Sequence, residues 1–164
     1  MAAELLQVMG EKTVDKAKAD DYLKQAIAGR KNGKSVTWGW GGIANKLSRQ
    51  AFSGNDEKVL KLRNQFFTAR LNITKCRLVR AELAGANSEN SKKILESAFN
   101  DIVITYKLYP ELGGNDFRKQ FNALMEKIQK AQGVATTGLT GLDKAAKDAA
   151  DAAAAGASTA AKGT

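Results

Sequence analysis

Between Asp56 and Ala84 the apolar residues Val59, Leu62, Phe66, Ala69, Ile73, Cys76 and Leu83 recur in a three-four alternation that only Arg80 interrupts. This is the period of one face of an α-helix, so the spacing predicts a single long helix over about 56–84 with a seam against a neighbour. Leu60, Phe67, Leu71 and Leu78 form a second apolar row on a different side. Two apolar faces imply packing on two sides, which places this helix inside a bundle.

The flanking segments supply its partners. A first helical region runs from about Ala3 to Ala28, with a break expected at Gly10. Val14, Tyr22, Leu23, Ala26 and Ile27 give it a thin apolar face before Gly29. Residues 30–35 read as a loop. Ile43, Leu47, Ala51 and Phe52 then hold helical spacing as far as Gly54. Asn87 or Ser88 starts the next helix, which must stop near Pro110, the only proline. Within it Asp101–Tyr106 is β-prone, yet it lies in register with Leu95, Ala98, Ile102, Tyr106 and Tyr109 and is read as helix. Phe117, Phe121, Leu124 and Ile128 step by four, three and four, so a last packed helix spans about Asn115 to Gln132 and closes at Gly133.

The expected fold is therefore all-α, a bundle of four to five helices over residues 1–133. A chain of 164 residues suffices for one such domain with a core and is too short to expect two. From Val134 the composition shifts: 31 residues hold 12 Ala, with only Val134, Leu139 and Leu142 as large apolar side chains. Alone, this Ala-rich, low-complexity tail (134–164) cannot offset its ordering entropy. Asp143 to Ala155 is a candidate for a lone or docked helix, because Ala is the best helix former. Over the whole tail three Asp balance three Lys, so a DNA-wrapping tail is not expected.

Residue inventory excludes several chemistries. With no His and only Cys76, neither the Cys/His zinc sets nor a Ser-His-Asp or Cys-His catalytic arrangement can be assembled. Asp20-Asp21 and Asp56-Glu57 read as helix-start acids that complement the dipole. No enzymatic activity, metal or cofactor is expected. Cys76 has no disulfide partner and lies in an apolar helical pattern, as a small core residue would. The first ten residues lack the basic start and apolar run of a secretory signal, and no segment has the length of apolar chain a membrane span needs, so a soluble chain is expected. Its compartment is left open.

The charge is concentrated. Residues 1–29 sum to −1, 30–80 to +10 and 81–164 to zero, which makes up the net +9. Arg63, Arg70 and Arg77 recur every seven residues, in one stripe with steps of roughly 10 Å along the helix. Such a stripe suits an acidic helix, a row of phosphates, or carboxylates of its own bundle. Because the remaining acids are balanced by Lys, some of the excess charge is expected to face solvent or a partner.

Two local motifs bear on function. Gly29–Ser35 resembles a phosphate-binding loop only in its ending, since the required first Gly falls on Ala28 and no strand precedes it. Lys31, Gly33 and Lys34 read instead as a solvated turn. Thr37-Trp-Gly-Trp-Gly-Gly42 is the most distinctive stretch. Its tryptophans suit either a contact with bases, sugars or protein, or one Trp closing the bundle core while Gly permits a tight helix entry. Together these features predict a non-catalytic structural or assembly subunit that docks its basic segment (about 30–80) onto an acidic surface of a larger protein complex. The candidate contact residues are Arg63, Arg70, Arg77, Arg80, Trp38, Trp40, Lys31, Lys34, Lys46 and Arg49. The alternative is a nucleic-acid-binding protein of coat or nucleoid type that uses the same segment. Self-association is compatible with either.

Overall fold

A computed structural model describes residues 2–32 and 35–160 and is mostly helical, with seven α-helices and one two-stranded sheet among the described residues. The long helix α4 (Glu57–Leu83) is its axis. Asp56 starts it, its carboxylate accepting the Val59 N–H at 2.9 Å. Both apolar rows are used. Phe66, Ala69, Ile73 and Cys76 are buried on one side and Phe67, Leu71 and Leu78 on the other, while Leu60 at the outer end stays 44% exposed. Helices α2 (Lys16–Ala28), α3 (Trp40–Leu47), α5 (Glu89–Leu108) and α6 (Asn115–Gln132) all pack on it.

Helix α1 (Ala2–Lys12) packs against α2, and the junction differs from the expected break at Gly10. Gly10 is helical and buried, and a Cβ there would lie 2.5 Å from Leu23 Cγ. The glycine brings two helices together. The interruption falls at residues 13–15, where the Asp15 carboxylate accepts the Ala17 and Lys18 N–H groups to start α2. Val14 sits in this turn at 96% exposure, so it is no part of the apolar face assigned to it. Asp20 and Asp21 fall in the second turn of α2, past the helix start where they were expected.

Residues 30–32 and 35–37 pair as two strands where a loop was expected over 30–35. Strand β1 (Arg30–Asn32) pairs antiparallel with β2 (Ser35–Thr37), Arg30 opposite Thr37 and Lys31 opposite Val36. Val36 and Thr37 are β-branched and favour extended backbone. The neck is tight, because a Cβ at Gly39 would strike the backbone of Gly29 and Ile27.

The remaining boundaries follow their end signals. Ser88 caps α5 by accepting the Ser91 N–H, and α5 stops at Leu108, before Pro110. Gly133, at φ 71°, closes α6. Phe52 stacks on Tyr109 at 4.2 Å between ring centroids, and Phe66, Phe67 and Phe117 extend the aromatic cluster into α4 and α6. Helix α7 (Gly138–Ala160) begins earlier than the stretch expected from Asp143, because α6 caps it. Gln129 Oε1 accepts the Gly138 N–H and Asn122 Oδ1 the Leu139 N–H, each at 2.8 Å. Leu139 is buried, and Arg118 holds Asp143 at 2.7 Å. Among the described residues no helix is long and apolar enough to cross a membrane.

Candidate functional site

The arginine stripe of α4 makes its bonds within the chain. Arg63 donates to the carbonyls of Ala51 (3.0 Å) and Gly54 (2.9 Å) and lies over the Phe52 ring, clamping the segment that leads into α4. Arg70 donates to Thr105 Oγ1 (2.9 Å) and to the Asp101 carbonyl (3.2 Å). Arg77 donates to the Ser97 carbonyl at 3.2 Å, and its Nε lies 3.3 Å from the Asp101 carboxylate. Arg80 meets Asp20 of α2 at 2.7 Å. Neutral carbonyl oxygens accept most of these bonds, so the stripe joins α4 to α5 and to residues 51–55 with few acids.

Titration follows these surroundings. Burial is the main influence on Asp101 and pushes its carboxyl above the ordinary value, although Arg77 and Arg70 pull the other way. Burial likewise lowers Arg70, with Asp101 opposing. Around Asp20 burial works to raise the carboxyl, but hydrogen bonds from Lys24 and Arg80 together prevail and hold it below the ordinary value.

The two tryptophans of the Trp-Gly-Trp motif have different surroundings. Trp40 is only 5% exposed and donates its indole N–H to Gln7 Oε1 at 3.0 Å, fastening the start of α3 to α1. Trp38 is 50% exposed. Its ring lies against Gly42, where an added Cβ would come within 2.8 Å of Cε3. Lys46, one turn further along α3, has its ammonium 5.3 Å from the ring centroid. Beside the indole runs a groove of about 510 Å³, with Ile43 and Leu47 of α3 facing Thr68 of α4. Gly39 closes the hairpin neck and Gly42 seats the ring, roles that the Gly-rich spelling of 37–42 signals only as tightness.

Of the residues singled out in the sequence, the structure brings Trp38, Trp40 and Lys46 to one groove. Lys31 is exposed on β1 and Arg49 is exposed just after α3, each at its own place on the basic segment. Lys34 lies outside the described residues. Arg77 and Arg80 line a different cleft, together with Lys24 and Lys93, two cations that the sequence reading had not singled out. No family model, curated protein or solved structure matches the chain.

Proposed function

We propose that this chain is a non-catalytic assembly subunit that docks the Trp38 face of its basic segment onto an acidic surface of a larger protein complex. The observation that carries the reading is the half-exposed Trp38 indole, seated on Gly42 and flanked by Lys46. A large ring held in place gives up little conformational freedom on contact, and aromatic and basic anchors are enriched where interfaces concentrate their binding energy. Lys31 and Arg49 add exposed positive charge on the same segment. The internal engagement of Arg63 and Arg70 assigns those two to holding the platform. The working unit is the helical bundle of residues 1–133, and the Ala-rich residues from 134 are peripheral to the contact.

A second reading rests on the same indole. An exposed aromatic ring among cations also stacks a nucleobase, as single-strand binders do. Titration of the full chain with polyglutamate, single-stranded RNA and duplex DNA across a salt series separates the two. Binding to polyglutamate with no measurable RNA or DNA affinity supports protein docking. Tighter binding to RNA or DNA, weakening steeply with salt, replaces it with the nucleic-acid reading.

A further inference from the structure

We propose that the cleft between α2, α4 and α5 binds a phosphate dianion, either inorganic phosphate or the terminal phosphate of a small monoester. Each wall follows from helical spacing. Lys24 and Ile27 stand three apart on α2, Arg77 and Arg80 three apart on α4, and Lys93 and Ile94 enter from α5. Together they line a cavity of about 360 Å³, within the range of small-ligand sites. Four cations converge there. Two carboxylates answer them: Asp20, paired with Lys24 at 2.6 Å and Arg80 at 2.7 Å, and Asp101, 3.3 Å from Arg77. The balance leaves the cleft with two positive charges in excess.

Donors are also left over. Arg80 uses only Nε toward Asp20, so among the described residues both of its terminal nitrogens lack a protein acceptor. Among the described residues Arg77 Nη2 has none either, and Lys93 has no acidic partner there. A guanidinium fork matches the spacing of phosphate oxygens, and a phosphate monoester carries nearly two negative charges at neutral pH, which the excess would balance. The isoleucines on two walls lower the local dielectric and strengthen the attraction. This cleft is separate from the Trp38 groove, and its occupancy does not depend on the docking role.

The test is a thermal-stability titration of the full chain with sodium phosphate and with a nucleoside monophosphate, each against sodium chloride of equal ionic strength. A ligand that binds only the folded state raises the melting temperature. The wild type should respond to phosphate beyond the chloride control. The Lys24→Gln/Lys93→Gln double variant should bind about tenfold more weakly, having lost two charged contacts. Should that variant fail to fold, Lys93→Gln alone serves, because among the described residues Lys93 has no ion pair to lose. A response to inorganic phosphate alone assigns the free ion, and one to the nucleotide as well assigns a monoester; both support the site. No response beyond chloride, or equal affinity in the variant, would overturn it.

Discussion

Arg80 of α4 and Asp20 of α2 are 60 residues apart in the chain and 2.7 Å apart in the fold, and Lys24 approaches the same carboxylate at 2.6 Å. The pair ties the first helical hairpin to the central helix. Replacing Asp20 by Asn should cost about 2 kcal/mol at pH 7, the scale of a charged hydrogen bond. The sign of the pH effect follows from the folded carboxyl lying below its unfolded value of 3.8. Its contribution is complete above that value and is lost as pH falls through the folded one. Acid titration followed by circular dichroism should therefore show a shallower loss of stability in Asp20→Asn than in the wild type. Asp101, raised by burial, works in the opposite sense, so its protonation on acidification favours the folded state.

The stripe of α4 should behave as structure. Changing Arg63, Arg70 and Arg77 together to Gln removes charged donors from the carbonyls of Ala51, Gly54, Asp101 and Ser97. Each charged bond contributes roughly 1.5–3 kcal/mol, and of the acceptors left behind those of Ala51, Asp101 and Ser97 are partly buried, so denaturant unfolding should show a loss of several kcal/mol. A change of less than about 1 kcal/mol, as for exposed charges, would return the stripe to the surface.

Charge counting could not have found this arrangement. It pairs cations with acids, whereas Arg63 and Arg70 spend their donors on backbone carbonyls and a threonine hydroxyl, which no charge count includes. Helix ends were legible because their signals are local: Asp56 and Ser88 each accept the N–H group three residues on, and Gly133 adopts the left-handed backbone in place. Gly10 was misread because a glycine that breaks a helix and one that admits Leu23 look alike until the second helix is placed. For the same reason the Trp-Gly-Trp motif marked a special site but could not say which indole faces outward.

Cys76 should be inert in the folded protein. It is fully buried, and burial pushes its thiol up to about 12, while alkylation requires the thiolate. Iodoacetamide at pH 8 should label it only after denaturation. Rapid labelling of the native chain would place this face of α4 in solvent.

The two tryptophans should separate cleanly in stability measurements. Trp40→Ala empties a buried site and removes the bond to Gln7, which should cost about 3–5 kcal/mol. Trp38→Ala removes a half-exposed ring and should cost under about 1 kcal/mol. Equal losses would mean that Trp38 also serves the core.

The most direct test of the docking role is the polyglutamate affinity of a Trp38→Ala/Lys46→Gln variant beside the wild type, at low and at physiological salt. The wild type should bind more weakly as salt rises, since its charges are screened. The variant should bind about tenfold more weakly at either salt, with its thermal unfolding shifted by no more than a few degrees. Wild-type affinity in a variant that has lost both the ring and its lysine would contradict the assignment of this face as the contact surface.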